Sequence, residues 1–100
     1  ANIIYADERI TVFEDIRPVA PVHYLIVPNK HIPSVNHIEA GDGELLAHLF
    51  FIARDIARQK GIAEHGYRLM VNTGKDGQQT VPHLHVHLIG GRLLLGREAS

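Results

Sequence analysis

The sequence predicts an α+β domain: a five-stranded antiparallel sheet with one long helix packed on one face. Three observations predict this class. Three short β-prone segments come first, one long amphipathic segment follows, and two further β-prone segments come after it. The 100 residues are 45% hydrophobic and 21% charged, which suits one small domain over residues 1–100 without room for a second core.

The positions of the strands are predicted from short runs of β-branched and aromatic residues that lie between turn-forming residues. Residues 3–5 and 10–13 are separated by a polar turn at 6–9 and predict a hairpin. Residues 22–27 lie between Pro21 and Pro28, which bound a third strand. Residues 67–72 and 83–89 predict the fourth and fifth strands.

The helix is predicted from Asp42 or Gly43 to about Lys60, after a loop-rich segment at 29–42. Apolar residues recur at the i, i+3, i+4 spacing of a helix that buries one face. They are Leu45, Leu46, Leu49, Phe50, Ile52, Ala53, Ile56 and Ala57. Lys60 and Gly61 have the cation-then-glycine pattern of a helix C-terminus.

Composition narrows the class of partner and the compartment. The net charge is −1 and the pI about 6.8, so no basic surface for nucleic acid or membrane is predicted. No apolar run reaches the roughly 18 residues of a membrane span, and the first residues lack a signal-peptide pattern, so we expect a cytoplasmic location. Cysteine is absent, which excludes disulfides and thiolate zinc ligands within these residues.

Three histidines alternate with three apolar residues in the fifth predicted strand. They form the run His83, Leu84, His85, Val86, His87 and Leu88. Because side chains alternate across a strand, we expect the imidazoles on one face and the apolar residues in the core. The preceding loop, residues 72–82, is polar and glycine-bearing, and its N–H groups predict a nest for an anion such as phosphate.

A metal site and a purely structural role are the alternatives for these histidines. Alternate strand residues are about 6.6–7 Å apart, so all three imidazoles do not easily meet one ion, and no metal site is predicted. No role is assigned to His23, His37, His48 or His65. His31, which follows the third strand, lies where a returning loop reaches the histidine run.

Two polar residues have a structural and a functional interpretation. Asp15 follows the second strand and either caps its own turn or accepts hydrogen bonds from both hydroxyls of a ribose. Asn72 either bonds the backbone of its own turn or contributes to the site.

These residues resemble the histidine triad (HIT) family, whose signature is His-φ-His-φ-His-φ-φ with φ apolar. Residues 83–89 satisfy every place, and residues 13–32, 70–83 and 87–92 are similar to the Hint branch, the nucleoside phosphoramidases. The resemblance implies the HIT fold, a homodimer, and hydrolysis of a purine nucleotide conjugate such as an adenylated amine or lysine. It gives His85 the role of nucleophile that forms a nucleotidyl-histidine, with His83 and His87 orienting it and serving the leaving group.

The same resemblance implies the remaining site residues. The phosphate would be held by Asn72, Gln79, Thr80, Val81, His85 and His87. Asp15 would hold the ribose, Phe13 and Ile16 part of the base pocket, and His31 would lie behind the triad. Thr80 stands where the Hint branch usually has serine, near the departing amine.

The resemblance also leaves alternatives. Family members usually have an N-terminal segment before the position of Ala1, and it is apparently absent from this sequence. We expect either that the given sequence omits this segment or that the protein has a more open pocket. In many bacterial relatives that segment supplies two cysteines for zinc, so no cofactor is expected from these residues. The competing functions are a dinucleoside polyphosphate hydrolase and a nucleotide-binding interaction protein with incidental catalysis.

Overall fold

The computed structural model describes residues 2–96; residue 1 and residues 97–100, the ends of the predicted domain, lie outside the described part. Five strands and one long helix follow one another in the predicted order. They are β1 (Ile3–Ala6), β2 (Ile10–Glu14), β3 (Val22–Pro28), α1 (Gly43–Gln59), β4 (Tyr67–Met70) and β5 (Val86–Gly90). Two short 3-10 turns, Val35–His37 and Ala40–Asp42, lie in the segment predicted as loop.

The strands form one sheet in the order β1-β2-β3-β5-β4, and all neighbours are antiparallel. The predicted α+β class is therefore confirmed. β5 pairs with β3 on one side and β4 on the other, and all five of its residues are buried. A histidine on β5 is consequently held by strands on both sides.

The hydrophobic core lies between one sheet face and α1. Sheet residues such as Val12, Ile26 and Leu88 pack there against Leu49 and Ile56 of the helix. Full burial of side chains of this size contributes roughly 1.5–3 kcal/mol each. The opposite face of the sheet is therefore the one available for a ligand.

The helix buries five residues at the predicted spacing: Leu49, Ile52, Ala53, Ile56 and Ala57. Phe50 is an error of the prediction, since it is 51% exposed. It lies about 100° around the helix from Leu49, next to the exposed Arg54 one turn later, and therefore off the face that meets the sheet. Gly61, at φ 72°, ends the helix, and its N–H and that of Ile62 return to helix carbonyls.

The last two strands are shorter than predicted at the ends that approach the site. β4 ends at Met70 rather than residue 72, and β5 begins at Val86 rather than residue 83. Continuing the β3–β5 register would set Leu84 opposite Pro28, which has no N–H to donate. The Leu84 N–H bonds instead to the Ile32 carbonyl at 2.7 Å.

The predicted row of three imidazoles on one strand is therefore wrong in part. Only His87 lies within β5, whereas His83 and His85 lie in the segment that leads into it. The alternating apolar residues Leu84, Val86 and Leu88 are buried, as predicted.

Asp7 joins the β1–β2 turn to the helix. Its carboxylate accepts hydrogen bonds from the Tyr5 hydroxyl and the Arg9 and Ile10 N–H groups, and His48 Nε2 lies 2.7 Å from it. Burial raises the pKa of Asp7, but the hydrogen bonds lower it by more, so the net pKa is well below the ordinary range. His48, left without a role by the sequence, thus holds the hairpin to α1.

Within residues 2–96, no helix combines the length and apolar character needed to cross a bilayer.

Candidate active site

His85 is a buried imidazole with one nitrogen fixed by the backbone. The side chain is 7% exposed, and its Nδ1 lies 2.8 Å from the His83 carbonyl oxygen. A carbonyl can only accept, so Nδ1 carries the proton and donates it. The lone pair of a neutral ring is then on Nε2, the nitrogen that can attack an electrophile.

His87 adjoins His85 and is bonded to a histidine of the neighbouring strand. The ring centroids of His85 and His87 are 5.2 Å apart. His87 is 2% exposed, and its Nδ1 lies 3.0 Å from Nε2 of His23 on β3. His23 pairs with Ile89, two residues beyond His87, so the two histidines are diagonal neighbours on one sheet face.

The proton positions between His23 and His87 follow from one backbone contact. His23 Nδ1 accepts the Val19 N–H at 3.2 Å, so in the neutral ring the proton is on Nε2. That proton points to Nδ1 of His87. Burial lowers the pKa of His23, an effect that the nearby Asp15 carboxylate partly opposes, so the neutral form is favoured.

Asp15 has the turn-capping contact that the sequence offered as one interpretation, while its contact with a ribose stays a prediction. Its Oδ1 accepts the Arg17 N–H at 2.8 Å, which is the turn-capping arrangement. Its Oδ2 lies 3.4 Å from Nε2 of His23, so the carboxylate also borders the histidine network. The turn interaction therefore leaves one carboxylate oxygen directed at the site.

Asp15, His23 and His87 also have ligand atoms within 4.8 Å of one another, a spacing compatible with a metal ion. This group was not foreseen from the sequence, where no metal site was predicted and His23 had no role. Coordination through Nε2 of His23 would move its proton to Nδ1, facing the Val19 N–H. The arrangement therefore fits a hydrogen-bonded network better than a metal site.

His83 and His31 form a second histidine pair. Nε2 of His83 donates to the Pro28 carbonyl at 2.9 Å, and its Nδ1 lies 3.0 Å from Nδ1 of His31. The structure thus brings His31 to the triad, where the sequence placed it. A structural zinc takes four ligands, often thiolates, and this pair supplies two imidazoles in a chain without cysteine. The described residues do not complete such a site.

The loop before the triad is closed by Gln79. Its side-chain Nε2 donates to the carbonyls of Pro33 and Val81 at 2.7 and 2.9 Å, and its Oε1 accepts the Gly74 N–H at 3.0 Å. Its own N–H bonds to the Gly74 carbonyl. Gln79 therefore shapes the loop through its side chain, and the phosphate contact that the resemblance implies for it stays a prediction.

The side chain of Asn72, unlike that of Gln79, has a donor without a partner in the described residues. Its Nδ2 is buried and has no hydrogen-bond partner among residues 2–96. A buried donor without a partner costs about 1–3 kcal/mol, so such groups usually meet a ligand or water. Of the two interpretations of Asn72, this geometry favours a role in binding.

An apolar cavity of about 350 Å³ adjoins the triad. Its lining residues are Phe13, Leu25, Val27, Val81, His83 and His85. Phe13, which was expected to form part of the base pocket, lines this cavity. Ile16 is 79% exposed and does not line this cavity. The volume falls within the usual range for small-ligand sites, roughly 300–1,000 Å³.

His23 belongs to the histidine cluster, although no role was assigned to it from the sequence. A signal existed: in residues 22–27, His23 shares the alternation of Leu25 and Val27, so all three belong to one sheet face. Leu25 pairs with His87, which places His23 beside the triad once the register is known.

Comparisons with known proteins agree with this geometry. The family profile described as HIT domain matches residues 1–94. A purine nucleoside phosphoramidase of Escherichia coli K12 is 49% identical over 94 residues, which are 94% of this chain and 79% of that protein. An uncharacterized HIT-like protein of Buchnera aphidicola is also 49% identical over 94 residues, covering 94% of this chain and 82% of that protein.

A solved structure has the same fold as this chain. The crystal structure of a HIT family hydrolase from Legionella pneumophila superposes with a TM-score of 0.93 at 42% identity. It covers 97% of this chain, which in turn covers 87% of the Legionella chain. The fold, the histidine motif and these relatives lead to one conclusion: the chain belongs to the histidine triad family and is a hydrolase.

Proposed function

We propose that this hydrolase cleaves the P–N bond of purine nucleoside 5′-phosphoramidates through a nucleotidyl-histidine on His85. The observation that carries the proposal is the bond from His85 Nδ1 to the His83 carbonyl, which leaves Nε2 as the nucleophilic nitrogen. The name of the Escherichia coli relative, purine nucleoside phosphoramidase, supports the choice of substrate class.

In the first step His85 Nε2 attacks the phosphorus and forms a P–N bond to the imidazole. The bond from phosphorus to the substrate amine breaks, and its electron pair leaves with the amine. The amine needs one proton, which a doubly protonated His87, or Thr80 acting as a relay, supplies. In that form Nδ1 of His87 donates to Nε2 of His23, the reverse of the arrangement between the two neutral rings. The His83 carbonyl stabilises the positive charge on the modified ring through the Nδ1–H bond.

In the second step water attacks the phosphorus and the P–Nε2 bond breaks. Its electron pair returns to His85, and the proton released by water goes to the group that gave one to the amine. The products are a nucleoside monophosphate and a free amine. Over both steps the enzyme is unchanged, as the proposed cycle requires.

The other residues predicted from the sequence would bind the remaining parts of the substrate. Asn72 and the N–H groups of Thr80 and Val81 would hold phosphate oxygens, a role supported by the buried Nδ2 of Asn72. Asp15 would accept from the ribose hydroxyls, and the cavity beside Phe13 would take the base. Ile16, exposed beside Asp15, would then cover the base from outside.

We also propose a homodimer, as the resemblance implies, and we propose that the two sheets join edge to edge along β4. β4 is an edge strand of the described sheet, so its outer backbone groups can pair with another strand. Leu93 and Leu95, 79% and 77% exposed, follow β5 and would gain burial in a dimer. Light scattering that gives a monomer at assay concentrations would contradict this assembly.

The test is release of amine from a fluorogenic adenosine 5′-phosphoramidate. Wild-type protein should turn the substrate over, and His85→Ala should abolish turnover while still binding AMP. His65→Ala is the matched control, because His65 is an exposed histidine outside the cluster. The proposal fails if the wild type releases no amine, or if it cleaves a dinucleoside triphosphate faster than the phosphoramidate.

A further inference from the structure

The loop between β2 and β3, residues 15–21, carries the backbone group that fixes the proton position of His23. The N–H of Val19 in this loop donates to His23 Nδ1 at 3.2 Å. Residues 15–21, all of them described, form neither a helix nor a strand. The position of Val19 therefore depends on the contacts that other parts of the chain make with this loop.

The turn after β5 packs against this loop. Gly91 has a φ of 97°, and a Cβ at this position would lie 2.9 Å from Cβ of Pro21, so glycine is what allows the two segments to approach so closely. In the next residue, Arg92, Nη2 donates to the Val19 carbonyl at 2.6 Å. Its Nη1 donates to the Leu93 carbonyl at 2.9 Å, which holds the guanidinium against its own turn.

Val19 is thus held through both of its backbone polar groups. Its carbonyl accepts from Arg92, and its N–H donates to His23. His23 Nε2 lies 3.0 Å from Nδ1 of His87, the residue that serves the leaving amine in the proposed function. Polar contacts therefore run without a break from the guanidinium of Arg92 to that imidazole.

We propose that Arg92 is a positioning residue for the hydrolysis, which acts through Val19 and His23 on His87 and touches no substrate. The inference rests on the proposed function and adds a residue outside the histidine cluster. While Val19 is fixed, its N–H keeps the proton of neutral His23 on Nε2.

This arrangement affects the proton that His87 gives to the amine. A doubly protonated His87 needs Nε2 of His23 as an acceptor, which requires the other tautomer of His23 and the loss of the Val19 contact. The Val19 contact therefore makes His87 hold its proton less tightly, and a group that holds its proton less tightly is a better acid toward the amine. Without Arg92 the loop can relax, His23 can adopt either tautomer, and His87 becomes a weaker acid.

The first experiment measures kcat and KM of amine release from the fluorogenic adenosine 5′-phosphoramidate for Arg92→Ala, for His23→Leu and for the double variant. Arg92 is exposed, so its loss should lower kcat by about three- to tenfold, a fraction of the roughly 10²–10⁴ that general acid catalysis contributes. KM should change by less than about twofold, since no substrate contact is removed. Because the effect passes through His23, the same substitution in the His23→Leu background should change kcat by less than about twofold.

The second experiment does not depend on turnover. NMR chemical shifts of the ring nitrogens of His23 are measured at about pH 8, where a neutral imidazole is expected, and are assigned by their absence in His23→Leu. For the wild type we expect an unprotonated Nδ1 and a protonated Nε2, as the Val19 contact requires. In Arg92→Ala both shifts should move toward intermediate values, because the ring exchanges between its tautomers.

Two further variants complete the design. Arg92→Lys keeps a charged donor but loses the planar fork, so it should lie between the wild type and Arg92→Ala in both measurements. Arg58→Ala is the matched control, because it removes an exposed arginine from the last turn of α1 and should change neither kcat nor the His23 shifts.

The outcomes separate this inference from the proposed function. An Arg92→Ala variant with the kcat of the wild type, or with the same relative loss in the His23→Leu background, overturns the inference and leaves the proposed function standing. So do His23 ring shifts that Arg92→Ala leaves unchanged. If the wild type releases no amine, the proposed function fails, and Arg92 then has no role in this reaction whatever the ring shifts show.

Discussion

His23→Leu is the most informative substitution, because His23 is argued to act through His87 and not on the substrate. The His23 side chain is 2% exposed and has two hydrogen bonds, one with the Val19 N–H at 3.2 Å and one with His87 Nδ1 at 3.0 Å. Leucine can fill a similar volume but can make neither bond. The ring of His87 then loses the donor that fixes its proton position.

The expected effects differ in size for stability and for catalysis. Leaving Val19 and His87 without their partner should cost about 2 kcal/mol of folding free energy, within the range of about 1–3 kcal/mol for an unsatisfied buried group. General acid catalysis contributes about 10²–10⁴ in rate, and loss of orientation should forfeit part of it, so kcat should fall by about 10- to 100-fold. KM should change little, since His23 has no predicted contact with the substrate.

The assay measures kcat, KM and the pH profile of amine release, with thermal unfolding measured alongside. His48→Leu is the control: it also removes a bonded histidine, but the one held by Asp7 at the hairpin. It should lower stability and leave kcat near the wild-type value. His23→Gln, whose amide can donate to His87, should recover part of the rate. The reasoning is refuted if His23→Leu loses stability but keeps the kcat and pH profile of the wild type.

Four further outcomes follow from the structure. Burial lowers the pKa of His23, so below its unfolded pKa of about 6.5 the unfolded chain binds a proton that the folded chain resists. Stability should therefore fall as the pH drops below about 6.5, and urea unfolding of His23→Leu should show a flatter pH dependence; a steeper one would contradict the buried neutral ring. Asp7→Ala removes an acceptor of several hydrogen bonds and should lower the free energy of unfolding in urea by about 2 kcal/mol. A decrease under about 0.5 kcal/mol would show that Asp7 does not hold the hairpin to α1. Leu88→Ala, at a fully buried position, should cost about 2–5 kcal/mol, and a midpoint near the wild type would mean that the site repacks. Asn72→Ala should lower kcat/KM about tenfold by removing a charge-assisted hydrogen bond to phosphate, and unchanged AMP affinity by calorimetry would argue against that contact.

Local patterns were sufficient for most of the fold. The alternation of β-branched residues located five strands, and the helical spacing identified the buried face from Leu49 to Ala57. Both patterns report which face of an element is apolar, and that information is contained within a few neighbouring residues. Phe50 was misassigned because spacing alone does not show how far the sheet extends under the helix.

The ends of the strands near the site could be located only once the pairing register of the sheet was known. Residues 83–85 have the composition of a strand, yet Pro28 would stand opposite Leu84 and cannot continue the hydrogen-bond ladder. His87 therefore lies in a β-strand, whereas His83 and His85 lie in the irregular segment before it. This difference lets His85 bond to the His83 carbonyl, while His87 remains fixed in β5, between β3 and β4.

The sequence by itself determined the family, the nucleophile candidate and the polar loop beside it, because those features lie within one contiguous motif. Only the tertiary structure decided that His23 is bonded to His87, 64 residues away, and that Asp15 closes the same network. It also assigned Gln79 to holding the loop, through the Pro33 carbonyl. The physical reason is that hydrogen-bond partners are selected by strand register and loop return, which depend on the packing of the whole chain and leave no local periodicity to read.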